Sequence, residues 1–269
     1  MKRLFTFGCS FTNYRWSTWA DCLAPEFDYF ENWGQAGAGN HFIFNSVMEA
    51  DQRHHFGKDD TIIVCWTSIN REDRYVDGRW HTPGNAHFAT NVYNSAYLKT
   101  HLDERGYLIR DLAYIKAVLL LLQSRPKLEW RFLSMVEIMA RPWPDDNVSL
   151  HHDVMKLYSN VLDHILPGYD KTVFATTGYP NRNGDPHPSP AEHLAYLDAV
   201  LPGWVTKQST RVKMHEESIN LNKDPHRSGM SKGRRVQGEG GGPFSFFPRC
   251  RRSLRREESR SSFSSRGSG

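Results

Sequence analysis

Cysteine is scarce in this chain and unpatterned where it occurs. The 269 residues hold four, Cys9, Cys22, Cys65 and Cys250, with no Cys-x-x-Cys pair and no framework spacing. A disulfide scaffold and a zinc ribbon are thereby excluded, and free thiols in a reducing compartment are the expectation. Long apolar runs are missing as well. The nearest candidate, Ala117 to Leu122, falls far short of the ~18 residues that a membrane helix needs. Met1-Lys2-Arg3 ahead of Leu4 to Phe7 superficially resembles a signal peptide, but the apolar part is short and no small-residue cleavage site follows it closely. A soluble, cytoplasmic protein with no membrane partner is expected.

Metal-ligand patterning is lacking too, despite 13 histidines. His54-His55 and His151-His152 are sequence neighbours, which on a helix point away from each other. Asp185-x-His187 and Gly39-Asn40-His41 look like fragments of metallophosphoesterases, yet they stand in the wrong chain order and no Gly-Asp-x-x-Asp links them. No metal and no cofactor are expected.

Charge is unevenly spread. Residues 206–269 carry 15 Lys and Arg against 6 Asp and Glu, which leaves residues 1–205 at −5 within a whole-chain net of +4. The end of the chain is rich in Arg, Ser and Gly, so 206–269 reads as a basic, low-complexity, disordered tail. Such a tail is the one route by which nucleic acid would bind. An abrupt change of composition is also what a frame shift in the gene would leave.

The first 205 residues hold alternating apolar runs and helical patterns. Strands are expected at 2–7, 27–33, 61–66, 128–136 and 172–176. Helices are expected at 16–23, 40–53, 97–123 with a break near Gly106, 154–166 and 191–201. Thr61-Ile62-Ile63-Val64-Cys65-Trp66 is the clearest buried strand, continuous and β-branched. Alternation of this kind implies parallel pairing with helices on both faces, an α/β/α sandwich, and a site beyond the carboxyl ends of the strands. Residues 71–94 are too long for an ordinary connection and form an inserted loop region.

Two short motifs carry chemistry. Leu4 to Phe7 runs into Gly8-Cys9-Ser10-Phe11-Thr12, a strand that stops at a glycine and then presents a hydroxyl. Asp185-Pro186-His187, far off in sequence, offers a carboxylate two residues from an imidazole. A serine hydroxyl attacks only when a base takes its proton, and the base needs a third group to orient it. Ser10, His187 and Asp185 meet those requirements in type. Cys9, one residue from Ser10, should point the other way, into the core.

These motifs, Gly8-Cys9-Ser10-Phe11-Thr12 and Asp185-Pro186-His187-Pro188-Ser189, resemble the first and last blocks of the SGNH, or GDSL-type, hydrolases. Asn32-Trp33-Gly34-Gln35-Ala36-Gly37 is similar to the second block, and the resemblance spans about residues 2–201. It implies a flavodoxin-like three-layer sandwich and a catalytic Ser10, His187 and Asp185. It also implies an oxyanion hole that includes the Gly37 backbone N–H. The third block departs: where the family has Gly-x-Asn-Asp, this chain has Trp66-Thr67-Ser68-Ile69-Asn70-Arg71. Ser68 falls on the Asn position and Asn70 lies two residues on, so either is a candidate donor. Many members also place one more residue between the Asp and the His. The expected activity is hydrolysis of an ester in a small molecule or carbohydrate, such as a sugar O-acyl group. The alternative is a catalytically weak or inactive binding module on the same scaffold. Arg71, Arg74 and Trp80, in a stretch rich in arginine and aromatics, are candidate substrate contacts.

Overall fold

The computed structural model describes residues 1–89, 91–138, 148–180 and 185–223, the side chains of 148–152 excepted. Strand β1 (Arg3–Phe7) is followed by a short helix α1 (Trp19–Leu23), β2 (Tyr29–Asn32), α2 (Asn40–His54) and β3 (Asp60–Trp66). The inserted region contains a small hairpin, β4 (Arg74–Val76) and β5 (Arg79–His81), and then α3 (Ser95–His101) and α4 (Glu104–Gln123). Strand β6 (Glu129–Ser134), helices α5 (Val148–Leu157) and α6 (Ser159–Leu162), α7 (Pro190–Val200) and α8 (Gln208–Lys223) complete the order.

Four of the strands form one parallel sheet in the order β2-β1-β3-β6. Every residue of β3 and four of the five in β1 are buried, which requires cover on both faces of the sheet. Helices supply it in two groups, α2 against α4, and α1, α7 and α8 against one another. The α/β architecture is therefore as expected. Because β1 is central and its neighbours β2 and β3 lie on either side, the chain reverses direction across the sheet there. In open α/β sheets such a reversal, here at the carboxyl ends of β1 and β3, is where a binding crevice forms.

The long helical pattern at 97–123 breaks at Leu102 and Asp103, where the Asp103 carboxylate accepts from the Gly106 N–H at 3.0 Å and starts α4. The strand expected at 172–176 does not form. A turn of 3-10 helix at Tyr169–Lys171 occupies the approach. Tyr169 is fully buried there, stacked on Tyr196 at 3.7 Å, with its N–H on the Met135 carbonyl. A fifth strand is reduced to one parallel bridge between Phe132 and Ile165. The helix expected at 154–166 is likewise divided between α5 and α6, which frees Ile165 for that bridge.

The boundary drawn at 205/206 also shifts. Helix α8 buries Thr210, Met214, Ser218 and Leu221, which recur every three or four residues along one face. The Glu217 carboxylate accepts from the backbone N–H and hydroxyl of Ser17 at 2.9 and 2.7 Å. Ordered structure thus reaches Lys223, and the remainder of the expected tail, 224–269, lies outside the described residues.

Candidate active site

Gly8 ends β1, and a Cβ there would sit 2.0 Å from Thr12 Oγ1 and 3.1 Å from the Cys65 carbonyl. Only a residue without a side chain lets the turn fold back so tightly. Thr12 and Asn13 return their N–H groups to the Cys9 carbonyl, which closes the turn. Cys9 faces the core with its Sγ 3.5 Å from Met135 Sδ, as the alternation predicts. Ser10 is thereby turned to the carboxyl edge of the sheet.

His187 arrives from the other end of the chain on a braced segment. Pro188 and Pro190 flank Ser189, which forms a capping box with Glu192 at the start of α7. The Pro188 carbonyl accepts from Trp16 Nε1 at 2.7 Å. The imidazole lies flat on Tyr14, ring centroids 3.9 Å apart at 14°, with Phe11 on another side at 5.6 Å.

Within that setting, His187 Nε2 is 2.8 Å from Ser10 Oγ and His187 Nδ1 is 2.6 Å from Asp185 Oδ1. The backbone N–H of His187 also donates to Asp185 Oδ1 at 3.0 Å. The second carboxylate oxygen accepts from Tyr14 Oη at 2.7 Å and from the Arg15 guanidinium. Burial alone would push the Asp185 carboxyl up. The His187 N–H, the Tyr14 hydroxyl and the imidazole outweigh it and hold the group below the usual carboxylate range. His187 is lowered, first by burial, with Arg71 and Arg15 adding to the depression and Asp185 opposing it. The ring is therefore neutral at neutral pH, Nδ1–H directed to the carboxylate and Nε2 accepting from the serine. Such a relay can take a proton from Ser10 as it attacks a carbonyl.

No protein-family model matches the chain, and no curated protein does. Solved structures similar to it include the following three. One is a member of the lipolytic protein G-D-S-L family from Veillonella parvula, with 13% identity over 74% of this chain and 97% of that one at a TM-score of 0.37. Another is an alpha/beta hydrolase enzyme from the metagenome of Lake Arreo, with 13% identity over 77% and 97% at 0.43. A GDSL-like lipase from Bacteroides thetaiotaomicron has 11% identity over 83% and 88% at 0.31.

The loop after β2 is stitched to the serine turn. Gln35 donates its backbone N–H to the Gly8 carbonyl at 3.1 Å, and Asn13 Nδ2 donates to the Gly34 carbonyl at 2.9 Å. Gly37 follows with φ +75°, and a Cβ there would lie 2.1 Å from the Thr82 carbonyl. Among the described residues, neither the Ser10 N–H nor the Gly37 N–H is engaged in a hydrogen bond.

The remaining candidates fall in different places. Ser68 sits half-buried on the turn directly after β3. Asn70 is buried with its Nδ2 directed to Glu104 at 3.3 Å. Arg71 reaches from the same turn to donate Nη1 to the Ala38 carbonyl at 2.9 Å, and its Nη2 is 3.5 Å from Met135 Sδ. Arg74 is exposed, hydrogen-bonded to Tyr97 and lying over the rings of Tyr93 and Tyr97. Trp80 packs edge-on against His41 and Phe42 of α2. Sequence reasoning missed Tyr14 and Arg15, whose only signal is their place four and five residues after Ser10. It also missed Asp73, a buried carboxylate that accepts from the Gly39 and Phe42 N–H groups and so caps α2 from a distance. Among the described residues no cluster of His, Cys, Asp and Glu has metal-binding geometry, and no helix is long and apolar enough to cross a membrane.

Proposed function

We propose that this chain is a serine hydrolase acting on an ester of a small molecule or carbohydrate. The unbroken relay from Ser10 through His187 to Asp185 carries the reading. Ser10 Oγ attacks the acyl carbonyl while its proton passes to His187 Nε2. The imidazolium that forms is stabilised by the Asp185 carboxylate, which stays ionised. The free N–H groups of Ser10 and Gly37 receive the oxyanion, with the Ser68 hydroxyl on the turn after β3 as the further candidate donor. His187 returns the proton to the leaving alkoxide, and a water molecule then repeats the sequence on the acyl-serine.

The test is turnover of an aryl acetate together with labelling by a serine-directed fluorophosphonate. Both are expected in the native chain, and Ser10→Ala should abolish labelling and lower kcat by at least about 10³-fold. Labelling that persists in Ser10→Ala, or a native chain that does neither, overturns the reading. The second outcome would favour a binding module on the same scaffold. The turn of the Asn70 amide away toward Glu104 is the observation that supports this alternative.

A further inference from the structure

The peptide group that joins Ala36 to Gly37 has two ends with different tasks. Its N–H is the unengaged amide of Gly37, while its carbonyl accepts a hydrogen bond from Thr82 Oγ1 at 2.9 Å. Thr82 Oγ1 in turn accepts from Gln35 Nε2 at 2.9 Å. The single hydroxyl proton is therefore spent on the Ala36 carbonyl, and the run reads Gln35 N–H to Thr82 O–H to Ala36 C=O. A hydrogen bond received at a carbonyl draws electron density from the amide nitrogen and makes that N–H a better donor.

The geometry around this peptide group leaves it little freedom. Gly37 touches the Thr82 backbone so closely that no side chain fits between them. Two residues on, the Ala38–Gly39 peptide is pinned at both ends, its carbonyl by Arg71 Nη1 and its N–H by the Asp73 carboxylate. Arg71, Asp73 and Thr82 all belong to the inserted region after β3. This region thus grips residues 35–39 at each end, at the point where the departing third block offers no free carboxamide.

We propose that Thr82 is a positioning residue for ester hydrolysis, which through the Ala36 carbonyl aims and polarises the Gly37 N–H toward the forming oxyanion. The inference rests on the Ser10 reading of the site and adds a residue outside the serine relay. Removing a whole oxyanion donor costs about 10²–10³-fold in kcat. Weakening one donor by the 10–30% that cooperativity supplies corresponds to about 2–7-fold.

Thr82→Val keeps the shape of the side chain and removes the hydroxyl, while Thr82→Ser retains it. In the full chain, Thr82→Val should lower kcat for an aryl acetate about 2–7-fold with KM unchanged. The fraction of molecules that take a fluorophosphonate should also be unchanged, and Thr82→Ser should restore the native rate. The Gly37 amide proton, followed by ¹⁵N–¹H NMR in the resting protein, should move upfield in Thr82→Val alone. Native kcat in Thr82→Val with an unmoved Gly37 resonance overturns the proposal. Equal losses in both variants with fewer labelled molecules would also overturn it, since that marks a merely structural contact. A native chain that neither hydrolyses nor labels sinks the Ser10 reading and this role with it. A shifted Gly37 resonance would then show that the hydrogen-bond run exists without serving catalysis.

Discussion

At the scale of single residues, the Asp185 carboxylate is saturated: His187 contacts it twice, and Tyr14 and Arg15 hold its other oxygen. Its position fixes which imidazole nitrogen carries the proton. Asp185→Asn should keep the fold and lower kcat by about 10⁴-fold through the wrong tautomer, measured as aryl acetate turnover. In the proposed mechanism the reactive imidazole is the neutral one, so kcat/KM should fall as pH drops through the His187 pKa. Burial places that pKa below the ordinary 6.5, and the acid limb of the profile should lie below it. Arg15 opposes protonation of His187 by its charge and also neutralises part of Asp185. Arg15→Met should therefore move the acid limb to higher pH, and a limb that stays or moves down would contradict the assignment. The same signs act on stability. Asp185 and His187 both have lowered folded-state pKa values, so each contributes stability near neutrality that is lost on acidification. Ser10 and His187 were legible from motif types, whereas Tyr14 was not, because its stacking on the imidazole depends on how the turn closes.

Between elements, the site depends on how loops at the sheet's carboxyl edge are bound to helix starts. Asn40, fully buried at the first turn of α2, pairs its side-chain amide with both backbone groups of Thr67, at 2.9 Å each, and donates to Asp111 at 2.8 Å. It joins the loop that carries Gly37 to the turn that carries Ser68. Asn40→Ala would leave buried backbone groups without partners, each worth about 1–3 kcal/mol. A loss of about 2–4 kcal/mol in urea unfolding is expected, with kcat falling as the two loops separate. The helix at 40–53 was readable from Ile43, Val47 and Ala50. The tie to Thr67 was not, since a buried Asn bridging 27 residues leaves no periodic trace. The hairpin β4–β5 had a local signal in Asp77-Gly78, both at positive φ in its turn, but its three-residue strands, mostly exposed, are too short for an alternation to show. Trp80, a candidate substrate contact from sequence, has its ring edge-on against His41 and Phe42.

For the molecule as a whole, the sheet was legible because β1 and β3 are continuous apolar runs that only a doubly covered parallel sheet can bury. The far edge was not, because beyond β6 the chain pairs, among the described residues, only through the single bridge of Phe132 with Ile165, which carries no run of apolar residues for the sequence to show. The end of the folded region was hidden by charge. From 206 on the net of +9 dominates the composition, while the buried face of α8 consists of only Thr210, Met214, Ser218 and Leu221. Yet α8 is tied to α1 and α7 by contacts that a solvated appendage lacks. Arg211 forms two hydrogen bonds to Asp198 of α7, Ser218 Oγ accepts from the Ala191 N–H, and Glu217 holds Ser17 at the approach to α1. Burial of Met214 and Leu221 is worth about 1.5–3 kcal/mol apiece, and a charged acceptor on Ser17 about 1.5–3 more. That sum approaches the 5–15 kcal/mol by which a domain is ordinarily stable. A chain ending at Thr206 should therefore melt well below the full chain, by tens of degrees or without a cooperative transition, as followed by circular dichroism. Glu217→Ala in the full chain should lose about 1.5–3 kcal/mol in urea unfolding. Because Ser17 lies three residues beyond Tyr14, whose ring supports His187, that variant should also slow turnover. A truncated chain that melts like the full one would make α8 an appendage and return the boundary to residue 205.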